Sequence, residues 1–245
     1  MTQTPPSRFV DSFDETFDIV VVGYGFAGGA AAIAAADAGC SVLLTEKMLD
    51  PGGISITAGG GIRLAADADD AFNYLNESCD GRTDQDVLRV FCDELVKLED
   101  YIRELASVND AECEKRHHPG NYPFDGFDTF HAIEIAAVPG FDPLTAYPHV
   151  RGRNRGPLLF KVVEDNVAKR NIEVRCGAPV VRLIEGGEGE VRGVTLEIDG
   201  KHRTVKARKG VILACGGVEA NEEMQQQFWQ MQPVLPAASR GNNGD

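Results

Sequence analysis

Gly23, Gly25 and Gly28 stand at the spacing of a phosphate-binding turn, and Glu46 follows about 20 residues on, where such turns carry an acid. Each glycine has its own task. The first permits a tight turn, the second lets the backbone approach a pyrophosphate, and the third lets a helix pack closely on a strand. Phe26 and Ala27 open the expected helix, whose free amides and dipole favour an anion without any lysine. Glu46 is placed to accept hydrogen bonds from a ribose 2′-hydroxyl and to repel a 2′-phosphate, which disfavours NADP. Lys47, beside it, is a further candidate contact. The chemistry these residues predict is dinucleotide binding, with FAD and NAD both open at this point.

The elements that must position them are legible on either side. Asp18–Gly23 is an apolar, β-branched run that predicts a strand covered on both faces. Ala30–Ala38, closed by Gly39, predicts a helix, and Ser41–Glu46 a second strand, completing a βαβ unit. Pro51–Gly61 is a loop dense in glycine. Helical spacing returns over Ala68–Cys79 and Asp84–Ala106, with Leu88, Phe91, Leu95, Leu98 and Ile102 expected on one face. Asn109–Arg155 shows no assignable period. A helix is predicted over Pro157–Lys169, strands over Ile172–Cys176, Val180–Ile184 and Val191–Ile198, and a hairpin turn at Asp199-Gly200 leading into His202–Ala207. Gly210–Gly217 reads as a buried strand running into glycines, and Asn221–Gln232 as the start of a helix. The expected fold is α/β and Rossmann-like, with a central parallel sheet, covering helices and a small antiparallel β-meander. It forms one domain over residues 17–245 behind a disordered arm at 1–16.

Composition excludes several classes of function. Of 245 residues, 24 are Lys or Arg and 38 Asp or Glu, giving a net charge of −14 that offers no general attraction to nucleic acid or anionic lipid. The longest apolar run, Ala27–Ala36, is far short of the roughly 20 residues needed to cross a bilayer. With no basic start leading into an apolar stretch, the chain is expected to be soluble and cytoplasmic. The six cysteines are scattered without metal-ligand or redox spacing and read as reduced thiols.

Four segments in order resemble the successive motifs of one flavoprotein family: Asp18–Glu46, Gly52–Gly61, Gly210–Gly217 and Gly241–Asp245. That family contains the flavoprotein subunits of fumarate reductase and succinate dehydrogenase, and the 3-oxosteroid dehydrogenases. The resemblance implies FAD, with the second glycine loop (Gly53, Ser55, Ala58, Gly59, Gly60) along the pyrophosphate and flavin. It also implies that the late strand returns beside the cofactor at Ala214 and Gly216, where Cys215 replaces the family's usual threonine. Val180 resembles a strand position whose backbone meets the adenine, and Asp245 closes a Gly-Asp motif. Pro51–Gly61 holds no histidine, so the resemblance implies non-covalent FAD. It further implies an oxidoreductase moving a hydride between flavin and a carbonyl-conjugated C=C of a small-molecule substrate, steroid-like or fumarate-like. The electron donor or acceptor is unspecified. In the family a capping domain and a closing strand follow the Gly-Asp motif, so an incomplete FAD-binding domain is expected, truncated or completed by a C-terminal half. A module without turnover and a NAD-linked dehydrogenase are the alternatives.

Other residues invite chemistry less strongly. His117-His118 lacks a third ligand at helical spacing and reads as exposed loop. Arg151, Arg153 and Arg155 read as a solvated turn before a helix, and Tyr122 and Tyr147 as packing residues. Asn76-Glu77-Ser78 matches a glycosylation acceptor without meaning in a cytoplasmic chain.

Overall fold

The computed structural model describes residues 6–150, 155–231, 234 and 239–245. In chain order the elements are β1 (Glu15–Val22), α1 (Phe26–Asp37), β2 (Val42–Thr45), β3 (Ile62–Ala65), α2 (Ala68–Cys79), α3 (Gln85–Leu95) and α4 (Leu98–Ala106). There follow β4 (Glu112–His117), β5 (Phe130–Ala137), α5 (Pro143–Ala146), α6 (Gly156–Lys169), β6 (Glu173–Arg175), β7 (Val180–Glu185), β8 (Val191–Ile198), β9 (Lys201–Leu213) and α7 (Glu222–Phe228). They form two compact units, Met1–Thr57 with Val163–Asp245, and Ala58–Val162.

The first unit is built on a six-stranded sheet in the order β6-β2-β1-β9-β8-β7. β6, β2, β1 and β9 run parallel, and β8 and β7 continue antiparallel as the expected meander. Val20, Leu43, Val194, Leu196 and Val205 are fully buried together, each contributing about 1.5–3 kcal/mol by the area it removes from water. The two strands predicted at His202–Ala207 and Gly210–Gly217 are one, β9, because pairing with β1 continues across a register shift between Phe17 and Ile19. β9 stops at Leu213, leaving Ala214–Gly217 as a loop.

β1 also starts earlier than the apolar run suggests. Glu15 and Thr16, expected in the arm, lie in the ladder opposite Val205 and Lys206. Glu15 is held by Arg175 (Nη1–Oε1 3.0 Å), and Asp14 accepts from the backbone N–H of Thr204 at 2.8 Å. α7 ends at Phe228, with Trp229 already extended, so the helix predicted to Gln232 is shorter; Gln232 is outside the described residues.

The second unit carries the three-stranded antiparallel sheet β3-β5-β4. Both strands of 109–155 escape sequence reading. β4 (ECEKRH) is a charged edge strand with no apolar alternation, while β5 buries Phe130, Ile133 and Ile135. The side chain of Asp67 caps α2 by accepting from Asp69 N and Asp70 N. The helix predicted over Asp84–Ala106 breaks at Val96–Lys97 into α3 and α4. The buried stripe of α3 is Leu88, Cys92 and Leu95, and Phe91, placed on that face by the sequence, is 52% exposed. Among the described residues no helix is long and apolar enough to cross a membrane.

Candidate dinucleotide site

The turn after β1 is shaped by clashes that only glycine avoids. Gly23 has φ +101°, and a Cβ there would collide with the carbonyl oxygen of Ala214, where the end of β9 crosses the turn. Gly28 lies so close under Gly23 that a side chain would strike its carbonyl, the helix–strand contact expected of the third glycine. Gly25 is the N-cap of α1, and a Cβ on it would fall 2.9 Å from Ser55 Oγ. Ser55 Oγ accepts from the N–H of Phe26 at 3.0 Å, so the second glycine loop supplies the capping oxygen that Gly25 lacks. The N–H of Gly52 donates to Tyr24 O at 2.7 Å and fastens that loop to the turn.

Glu46 follows β2 and is 8% exposed. Its Oε2 accepts from Tyr24 N and its Oε1 from Met48 N, both at 2.9 Å. Two backbone amides thus fix the carboxylate, and each oxygen retains acceptor capacity for a hydroxyl. The N–H of Ala178 donates to Glu46 O at 2.9 Å, drawing the link before β7 over the acid. Burial, with a smaller contribution from Glu164, holds the Tyr24 phenol well above its ordinary pKa, so it stays protonated.

These parts surround a cavity of about 400 Å³, within the roughly 300–1,000 Å³ of small-molecule sites. Gly23, Gly25, Ala27, Glu46 and Lys47 line it, as do Gly53 and Ser55 from the second loop. Val180, Ala214, Gly216 and Asp245 reach it from the late strands and the last residues. Phe26 and Gly28 support the wall through the contacts above. Ala58, Gly59 and Gly60 belong to the second unit, where Ala58 O accepts from Gly156 N at 3.1 Å and Gly60 adopts φ +78°. Lys47 is engaged by Asn243 and forms an ion pair with Asp245.

Cys215 lines the cavity beside Ala214 and Gly216, and among the lining residues that sequence reading missed are Tyr24, Met48 and Asn242. Asn242 is buried, its O accepts from Ala220 N at 2.7 Å, and its Oδ1 sits 2.9 Å from where a Cβ on Gly216 would be. The sequence signal for it is its place within Gly241–Asp245.

The remaining candidates take no part in this cavity. His117 lies on strand β4, not in a loop, with Nε2 3.0 Å from Asp128 Oδ1, and no group of three potential metal ligands occurs among the described residues. Tyr122 stacks on Phe124, and Tyr147 packs on Phe141 and Phe160. Arg155 is ion-paired with Glu114 and Glu134, whereas Arg151 and Arg153 lie outside the described residues.

The FAD binding domain family matches residues 18–244. The chain is 32% identical to digoxin reductase of Eggerthella lenta, over 89% of this chain and 38% of that protein. It is 30% identical to fumarate reductase (cytochrome) of Shewanella frigidimarina, over 85% of this chain and 34% of that protein. The solved structure of 3-ketosteroid-delta4-(5alpha)-dehydrogenase from Rhodococcus jostii RHA1, in complex with 4-androstene-3,17-dione, shares the fold. Its TM-score is 0.76 at 22% identity, over 96% of this chain and 53% of that one. The chain therefore spans about a third to a half of the length of these three proteins. A glycine cradle that any Cβ would fill and a buried carboxylate held by two amides are the groups a dinucleotide requires, and with the match over residues 18–244 the chain belongs to the FAD binding domain family, with FAD as its cofactor.

Proposed function

We propose that the first unit holds FAD non-covalently in its cavity. We further propose that the whole protein is a dehydrogenase or reductase moving a hydride between flavin and a C=C conjugated to a carbonyl. The observation that carries the cofactor reading is Glu46, a buried carboxylate fixed by Tyr24 N and Met48 N beside the glycine turn. In this reading the turn from Gly23 to Gly28 receives the diphosphate and Glu46 accepts from the ribose hydroxyls. Val180 borders the adenine side, and Ala214 and Gly216 border the path toward the flavin. FAD, when bound, supplies the hydride-transferring ring, and these residues supply binding, orientation and exclusion of water.

Relatives named for digoxin and fumarate, and a structural neighbour holding 4-androstene-3,17-dione, support a steroid-like ketone or a small unsaturated acid as substrate. Because the chain spans 38% and 34% of those two relatives, turnover is proposed of the whole protein and cofactor binding of these residues. The absence of histidine from Pro51–Gly61 supports attachment without a covalent bond.

The test is an absorbance spectrum of the purified chain, followed by acid precipitation. A flavin spectrum with FAD released into the supernatant is expected. A colourless protein that takes up no added FAD but binds NADH would replace this reading with a NAD-linked one, and flavin retained in the precipitate would overturn non-covalent attachment.

A further inference from the structure

Asn242 is only 6% exposed, yet it lines the cavity of the first unit. Its backbone is fully engaged, the N–H donating to Ser239 O at 3.0 Å and the O accepting from Ala220 N at 2.7 Å. Its side chain is engaged on one side only. Nδ2 donates to Glu219 Oε2 at 3.1 Å, and because a carboxylate can only accept, this bond fixes which way the amide points. Oδ1 receives no hydrogen bond from any described residue and is not sealed within the protein. A buried amide with one end committed and the other open presents an acceptor that water or a ligand completes.

Gly216 makes room for that amide. It has φ +80°, and a Cβ on it would lie 2.9 Å from Oδ1 and 3.2 Å from Cγ and Nδ2, so the amide of Asn242 occupies the place of the side chain that Gly216 lacks. The strand order β2-β1-β9 sets Glu46, just after β2, and Gly216, just after β9, on opposite flanks of β1 and its glycine turn. A dinucleotide with its ribose at Glu46 and its diphosphate on Gly23–Gly28 therefore leaves the turn over the end of β9. The diphosphate offers only acceptors. The group that follows it in FAD is the ribityl chain, whose hydroxyls are donors.

We infer that Asn242 is a cofactor-binding residue whose Oδ1 accepts a hydrogen bond from a ribityl hydroxyl of FAD. The role rests on the reading of this cavity as the FAD site. Glu46 serves the ribose on one flank of the turn, and Asn242 serves, on the other, a chain that ADP does not possess. Glu219 is a positioning residue, acting through the Nδ2 it holds.

The experiment titrates FAD into the flavin-stripped 245-residue chain and into Asn242→Ala and Glu219→Ala, and measures ADP on each by its displacement of FAD. Asn242→Ala is expected to weaken FAD about tenfold and to change ADP less than twofold. Wild-type FAD affinity in that variant overturns the inference, as does an equal loss for FAD and ADP, which is what a residue that merely props the cavity wall would give. If Asn242→Ala does not fold, Glu219→Ala decides it. With Nδ2 released the amide loses its fixed direction, so FAD is expected to weaken about threefold with ADP unchanged, and unchanged FAD affinity or an equal loss for both ligands is the overturning result. Wild-type chain that takes up no FAD overturns the cofactor reading, and this inference with it.

Discussion

At Gly25 two demands meet in one missing side chain, since a Cβ would press on Ser55 Oγ, 2.9 Å away, and in the proposed reading would stand where the diphosphate approaches. Gly25→Val is therefore expected to abolish FAD binding, checked by the flavin content of the purified variant; a wild-type flavin-to-protein ratio would refute the placement. Glu46 carries a different risk. Glu46→Ala leaves Tyr24 N and Met48 N without their acceptor in a buried site, a loss of about 1–3 kcal/mol in unfolding free energy together with weaker FAD binding. Urea denaturation of the apoprotein and a fluorescence titration with FAD measure the two effects separately. Gly23, Gly25, Gly28 and Glu46 were legible because their spacing along the chain is itself the motif. Met48 and Asn242 were not, since what places them is a turn after Glu46 and a return of the chain nearly two hundred residues later.

The strands of the first unit are fastened at their polar ends by carboxylates. Asp18 accepts from Arg208 and Ser41, Glu15 from Arg175, and Asp14 from Thr204, and each is held below its ordinary pKa by those bonds. A carboxylate depressed in the folded state contributes stability that is present above its unfolded pKa and disappears as pH falls through the folded one. The chain is thus expected to lose stability as pH drops below about 4. Asp18→Asn should be less stable than wild type near neutrality and flatter in its pH dependence, as read from urea midpoints between about pH 7 and 3. Identical slopes would discard the assignment to Asp18. At this scale the sequence was readable wherever apolar period coincided with an element, as in β2 and α6. It failed at β4, whose ECEKRH carries no apolar alternation, and at α3, whose buried face is Leu88, Cys92 and Leu95 and leaves Phe91 exposed.

The two compact units depend on which distant segments meet, whereas periodicity reports only which way a side chain faces. The charge of −14 and the parallel-plus-meander sheet were legible, the first from counting and the second from the order of strand and turn signals. A ligand that binds only the folded chain stabilises it by mass action, about 2.7 kcal/mol at a hundredfold excess over the dissociation constant. FAD is therefore expected to raise the thermal midpoint of the apoprotein in a concentration-dependent way, measured by calorimetry, while NADP, repelled by Glu46, leaves it unchanged. An equal shift with NADP would remove the specificity assigned to that acid.

β9 pairs with β8 through its first half and with β1 through its second, and then delivers Ala214 onto the turn at Gly23. A single strand that serves as meander edge, parallel neighbour and cavity wall has no slack. The Asp199-Gly200 turn has room to lengthen or shorten, because nothing lies within 4 Å of a Cβ on Gly200. One residue gained or lost between Val205 and Leu213 would reverse the inward and outward faces of everything beyond it and carry Ala214–Gly216 about 3.3 Å off station. Over the lineage of this chain, insertions and deletions should therefore accumulate at the hairpin and be purged from the strand it feeds.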